Sequence, residues 1–182
     1  NIENQMKPSG ERIYAFIDSQ NLNLAVRNDI YNKQGILIYR GWNLDFQKLL
    51  IYFRVKYMVD KAFLFIGNMK GNEKLYLFLQ KAGYNLVFKP AVEYFDSTGK
   101  RMIKGNVDAE LVLHSMIELP NYDKAIIVAG DGDYCCLLDY LKKNNKLAKL
   151  AIPNKYSYSS LLKPYLPYAV YISDLKSSLE RI

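Results

Sequence analysis

An α/β fold, with a mainly parallel central sheet and helices on both faces, is predicted by three features of this sequence. Short apolar runs of strand length recur at residues 13–17, 62–66, 84–88, 124–129 and 147–152. Segments with helical spacing of apolar residues separate them, the alternation expected of parallel strands joined by crossover helices. No linker, internal repeat or low-complexity tract interrupts the 182 residues, a length that suits one domain with a substantial core. One domain over residues 1–182 is therefore expected, with residues 1–11 as a flexible N-terminus. Such a pattern leaves strand order open.

The first strand, Ile13-Tyr14-Ala15-Phe16-Ile17, stops at Asp18. A helix follows over 20–28. Residues 29–41 mix polar and apolar types around Gly35 and read as a loop with a short extended piece. Asn43 or Asp45 supplies the cap for a helix over 44–57, in which Phe46, Leu49, Leu50 and Phe53 recur at helical spacing. After the strand at 62–66, Gly71-Asn72 opens a helix with Leu75, Leu79 and Ala82 on one face and Gly83 as its C-cap. The strand at 84–88 is ended by Pro90. Residues 91–105 break the rhythm. There Val92-Glu93-Tyr94-Phe95, the turn Asp96-Ser97-Thr98-Gly99 and Lys100-Arg101-Met102-Ile103 read as an inserted β-hairpin or flap. A helix over 107–118 stops before Pro120, and the strand at 124–129 leads to a helix over 134–143 ending in Asn144-Asn145. Beyond the strand at 147–152 come a short helix at 159–165, a short strand at 169–172 and a terminal helix capped by Asp174.

Half the residues are hydrophobic and 24% are charged, a globular rather than a disordered composition. Lysine and arginine number 25 against 18 acids, for a net +7 and a pI near 9.2. That balance favours a polyanionic partner, nucleic acid before an anionic membrane surface, although it also serves plain solubility. The sixteen tyrosines and eight phenylalanines belong mostly in the core or on half-buried strands, with a few placed to stack on bases. Cys135 and Cys136 are adjacent inside a predicted helix, where a vicinal disulfide would be strained. Reduced, buried thiols are expected, and with them a cytoplasmic location. Residues 1–12 lack the apolar core of a signal peptide. No stretch approaches the ~20 apolar residues that span a bilayer, so no membrane partner is expected.

Against this basic background four aspartates stand where strands end or helices begin: Asp18, Asp108, Asp131 and Asp133. In an open α/β sheet, ligands bind outside the carboxyl ends of the strands at a topological switch point. Carboxylates gathered there repel one another unless a cation holds them, and oxygen-only clusters suit Mg²⁺ or Mn²⁺. Each acid also has a plainer role. Asp18 is a ready N-cap, as is one of the pair Asp131 and Asp133, and Asp108 is welcome at a helix start. The second acid of the pair is harder to explain that way, since two like charges flanking Gly132 cost energy without a counter-ion. Asn21, one turn beyond Asp18, is placed to orient Asp18, a water or a phosphate oxygen. Glu110 points away from Asp108 and is either a residue behind the site or a solvated acid.

Other chemistries find little support. His114 is the single histidine and lies mid-helix, which excludes a histidine-pair ribonuclease and leaves no zinc pattern. Neither a Walker-type phosphate loop nor a dinucleotide fingerprint is present. Gly130-Asp131-Gly132-Asp133 faintly resembles a haloacid-dehalogenase motif, but Gln20 stands where that chemistry needs a second acid.

Phe16-Ile17-Asp18-Ser19-Gln20-Asn21-Leu22, then Lys104-Gly105-Asn106-Val107-Asp108, then Val128-Ala129-Gly130-Asp131-Gly132-Asp133-Tyr134 resemble, in order, the motifs of the NYN domain family. These are the LabA-like relatives of the PIN-domain ribonucleases. The resemblance implies a Rossmann-like, PIN-like three-layer sandwich and a metal-dependent ribonuclease site. Its acidic positions fall on Asp18, Asp108, Asp131 and Asp133 and the accompanying Asn on Asn21. Three departures stand out: Asn106 is an extra residue, Gly132 stands where Ser is usual, and Tyr134 where Phe is usual.

The expectation is thus a Mg²⁺- or Mn²⁺-dependent ribonuclease, an endonuclease, whose metal ligands and catalytic acids are Asp18, Asp108, Asp131 and Asp133. Asn21, Lys104, Arg101 and Tyr94 are candidates for substrate contact, and Lys70 and Lys89 for holding the RNA backbone. Two alternatives stand beside it. One is an RNA-binding module of the same fold with little or no cleavage, because Asn106 misplaces Asp108. The other is a metal-dependent phosphatase or nucleotide hydrolase. PIN-like relatives often dimerise, so the resemblance extends to a homodimer.

Overall fold

Strand β1 (Ile13–Asp18) is buried along its whole length, and its alternate side chains build two separate cores. Ile13, Ala15 and Ile17 face one, Tyr14 and Phe16 the other. A strand apolar on both faces belongs in the middle of a parallel sheet covered on both sides. In this computed structural model, which describes residues 10–90, 92–95, 101–104 and 107–181, and side chains except for 90, 92–95 and 101–104, β1 holds that place.

The elements follow the predicted alternation. After β1 come helix α1 (Ser19–Arg27), a small antiparallel hairpin of β2 (Ile30–Tyr31) and β3 (Leu37–Tyr39), and helix α2 (Phe46–Tyr57). Strand β4 (Val59–Asn68), helix α3 (Glu73–Ala82) and strand β5 (Asn85–Pro90) complete one half. The second antiparallel pair, β6 (Val92–Phe95) with β7 (Arg101–Lys104), is the expected flap; its turn, 96–100, lies outside the described residues. Helix α4 (Asp108–Ile117), strand β8 (Lys124–Val128), helix α5 (Cys135–Lys143), strand β9 (Leu147–Ile152), strand β10 (Ala169–Tyr171) and helix α6 (Lys176–Leu179) finish the chain.

The six-stranded sheet runs β10-β9-β8-β1-β4-β5, and every pairing is parallel. Counted in chain order, that is the doubly wound order, in which the chain leaves β1 toward one edge and returns to build the other. The switch point lies between β1 and β8, paired from Ile13 opposite Lys124 to Ile17 opposite Val128. Helices α1, α2 and α3 send Leu22, Val26, Leu49, Phe53 and Leu79 into one core. Leu111 of α4 and Leu137, Leu138 and Leu141 of α5 fill the other. This is the three-layer, PIN-like α/β arrangement.

Local signals explain most boundaries. Asp45, not Asn43, caps α2 by accepting from the N–H groups of Gln47 and Lys48, a bond set that stabilises a helix start by ~1 kcal/mol. Gly83 ends α3 in the left-handed region, φ 109°, where a Cβ is disfavoured. Two expectations need correction. Asp174 does not cap the terminal helix; its carboxylate pairs with Lys155 at 2.6 Å, and α6 starts at Lys176 with no side-chain cap. Both cysteines are free thiols, but Cys136 is exposed, because the buried stripe of α5 is Leu137, Leu138 and Leu141.

Candidate functional site

The turn after β8 points two carboxylates outward by simple alternation. Gly130, Gly132 and Tyr134 are buried, while Asp131 and Asp133 between them are exposed. Asp131 also caps this turn, accepting from the Asp133 N–H at 3.2 Å. Gly132 is dictated by close approach: a Cβ there would lie 2.6 Å from Ser159 Oγ and 2.7 Å from Leu161 Cδ1. The segment after β9 therefore folds down onto this turn, and the Ser159 N–H donates to the Gly130 carbonyl at 2.9 Å.

Asp108 arrives from α4, the helix that precedes β8 in the chain. Val107 and Leu111, both buried, anchor the first turn of α4 in the core and fix Asp108 at its start. Its charge there is favoured by the helix dipole. Among the described residues, the acids whose carboxylate oxygens all come within 4.8 Å of one another are Asp108, Asp131 and Asp133. Gly105 and the extra Asn106 lie outside the described residues, yet Asp108 stands in this cluster.

Asp18 is not in that set. It is 5% exposed and sits behind the cluster as the N-cap of α1, accepting from the Asn21 N–H at 2.9 Å through one oxygen. Its other oxygen lies 2.9 Å from the Tyr134 hydroxyl, and that hydroxyl lies 2.5 Å from an oxygen of Asp108. One phenol thus joins the acid of β1 to the acid of α4. Burial pushes the Asp18 carboxyl above its usual range; the Asn21 N–H and Tyr134 hydroxyl act the other way, and the charge of Asp108 adds to the rise. The Tyr134 phenol is pushed far above its usual range, by burial first and by both carboxylates next, so it remains a donor. A single hydroxyl hydrogen serves one acceptor at a time.

The Asn21 side chain is not turned toward Asp18. Its Oδ1 accepts from the Gly130 N–H at 2.9 Å, which staples α1 to the end of β8 across the switch point. Glu110 pairs with Lys89 at 3.0 Å, so both are engaged on the flank of the site. Lys70 is exposed. The side chains of Tyr94, Arg101 and Lys104 lie outside the described residues. His114 packs edge-on against Phe65, with ring centroids 5.7 Å apart, a structural placement. Tyr134 is the member of the site that sequence reasoning missed, although its standing where Phe is usual was a visible signal.

The donor set fits a hard divalent cation. It offers carboxylate oxygen alone, and its 4.8 Å limit compares with the ~4.2 Å spanned by two oxygens ~2.1 Å either side of Mg²⁺. Asp108, Asp131 and Asp133 are the residues that would hold it.

A family model, the NYN domain, matches residues 12–163. A solved protein of unknown function, VPA0982 from Vibrio parahaemolyticus, superposes with a TM-score of 0.66. It is 22% identical, over 96% of this chain and 99% of that one; at that identity the likeness is one of fold. No curated protein matches the sequence.

Proposed function

Because this chain belongs to the NYN domain family, we propose that it is a metal-dependent ribonuclease that hydrolyses RNA phosphodiester bonds internally, at Asp108, Asp131 and Asp133. The carrying observation is the convergence of these three acids, one from the start of α4 and two from the turn after β8, within 4.8 Å at the switch-point edge of the sheet. A divalent ion held there, Mg²⁺ or Mn²⁺, would supply water activation and charge neutralisation at the scissile phosphate. The three carboxylates bind and orient it. Asp18 acts one step back, as a positioning residue: through Tyr134 it fixes Asp108, and through its cap it fixes the start of α1. Asn21 keeps the ends of β1 and β8 in register with each other. The dry, hydrogen-bonded support behind an exposed ligand set is what holds such a constellation to a narrow geometry.

RNA is the substrate on two grounds, the family and the net charge of +7, which draws a polyanion to an otherwise acidic pocket. Among the described residues, no helix is long and apolar enough to cross a membrane; the cytoplasmic location we propose rests instead on the two free thiols. A homodimer is the proposed assembly, read from the family class alone. The reading as a binding module without cleavage loses its main support, since Asp108 keeps its place beside Asp131 and Asp133.

The test is incubation of end-labelled single-stranded and structured RNA with Mn²⁺, Mg²⁺ or EDTA. Internal cleavage in either metal and none in EDTA is expected, with Asp131→Asn and Asp108→Asn inactive but folded. Release of phosphate from a nucleotide and phosphomonoester panel, with RNA left whole, would replace this proposal by the phosphatase one.

A further inference from the structure

Beside the acidic cluster, and sharing Asp131 with it, lies an open cleft of about 500 Å³ between α1 and the segment that follows β9. We infer that this cleft holds the nucleobase of the RNA nucleotide next to the scissile phosphate, and so sets base preference. The inference rests on the ribonuclease reading and adds a subsite to it.

The lining decides the class of ligand. Among the described residues, no lysine or arginine lines the cleft, and its one charged side chain is Asp131. A phosphate would meet net repulsion there, so the occupant is neutral. One wall is apolar, from Leu24, Ala25 and Ile30, with Leu24 41% exposed. The facing wall carries Ser157, Tyr158 and Ser159. The ring of Tyr158 packs on the second core and lies tilted against Tyr171, centroids 6.2 Å apart, which holds this wall in place. Asn28 lines the cleft as well; an asparagine amide both donates and accepts, the pairing that base edges use. Ser159 accepts from the Leu161 N–H at 3.3 Å, which leaves its own hydrogen for a ligand acceptor. An apolar shelf with a few neutral donors and acceptors beside it suits a base, and the volume falls in the range of small-ligand sites.

Position supplies the second argument. Asn21 and Gly130 join the cleft floor to the end of β8 through their hydrogen bond, and the cluster starts at the next residue. A nucleotide whose phosphate is held by a cation at the three acids has its neighbouring base at the mouth of this cleft. Gly132 keeps the facing wall in place, because Ser159 and Leu161 occupy the space that its side chain would need.

The experiment reads nucleoside binding and RNA cleavage separately. Adenosine, guanosine, cytidine and uridine are titrated into the ¹⁵N-labelled protein in EDTA. Saturable shifts at Leu24, Asn28 and Tyr158 are expected for at least one nucleoside. Affinity should fall tenfold or more in Ala25→Trp, which fills the cleft; Leu24→Trp, at an exposed position, serves if Ala25→Trp misfolds. With a randomised RNA and Mn²⁺, the parent should show a base bias beside the cut that Ala25→Trp flattens. Absence of saturable binding, or filled variants that bind like the parent, overturns the cleft assignment even if RNA is cut. Nucleoside binding with RNA uncut in every metal leaves the cleft standing and removes the ribonuclease reading.

Discussion

The four aspartates divide into two regions that obey different physics. On the β8 side, Asp131 and Asp133 project into solvent from a turn held by buried Gly132 and Tyr134. On the β1 side, Asp18 is buried and both its oxygens are engaged, by Asn21 and Tyr134. Removing a partner from a buried carboxylate costs stability, whereas an exposed carboxylate is hydrated and costs little to change. The exposed pair is therefore nearly spare for folding, Asp131 only capping its own turn, and available to a ligand. The buried acid is tied into the framework. Asp108 belongs to both regions, through the cluster and through the Tyr134 hydroxyl.

The sharpest way to break this division is to neutralise the exposed side. Asp131→Asn should lower RNA cleavage in Mn²⁺ by at least ~100-fold, the scale on which electrostatic groups at a reacting centre act. Its unfolding free energy from urea titration in EDTA should stay within ~0.5 kcal/mol of the parent. A variant that unfolds easily would place Asp131 in the framework after all. Tyr134→Phe probes the other side. It leaves Asp18 buried with one donor fewer, and stability in EDTA should drop by ~1–3 kcal/mol. Mn²⁺ should narrow that gap, because a cation relieves the same pair of carboxylates. An unchanged melting temperature in EDTA would show the phenol to be idle.

Much of this was legible in the sequence, for reasons that particular residues make plain. The strand that ends at Asp18 declares itself because β1 is apolar on both faces, and Gly83 marks a helix end because a left-handed residue is needed there. Strand order was not legible, since parallel pairing depends on which crossover passes which face, and hydrophobic pattern carries no record of that. Nor was the split among the acids, because burial of Asp18 against Tyr134 joins positions 116 residues apart. The neutral cleft was hidden for the same reason: it exists only where the segment around Ser159 descends on Gly132. The exposure of Cys136 corrects a guess made from residue type alone, where helical phase decides.

The buried side also has a pH signature. The Asp18 pKa is raised, chiefly by burial, so between its ordinary value of 3.8 and the native value the folded protein binds more protons than the unfolded chain. Stability from this group is then fully present below the ordinary pKa and is lost as pH rises through the native one. In EDTA, the parent should lose ground to Asp18→Asn as pH climbs above 3.8. Equal pH slopes for the two in urea unfolding would mean that Asp18 carries no such linkage.

The smallest effect is expected on the flank, where Lys89 and Glu110 pair at 3.0 Å with each side chain 30% exposed. The pair lies beside the cluster but outside both regions. A half-exposed ion pair gains little, because water competes for each charge and two long side chains lose freedom to meet. Glu110→Gln should change stability by less than ~1 kcal/mol and leave metal-dependent cleavage within about twofold, a few tenths of a kcal/mol on the transition-state scale. Lys89→Ala should do the same to stability but weaken RNA binding, by more at low salt than at high and with a shallower salt slope, where its charge is shared with the backbone of the substrate. Comparing the salt slopes of these two variants separates a lysine that serves RNA from one that serves only its glutamate. A loss of cleavage in Glu110→Gln comparable to that of Asp131→Asn would extend the exposed ligand set to a fourth acid and redraw the boundary between the two regions.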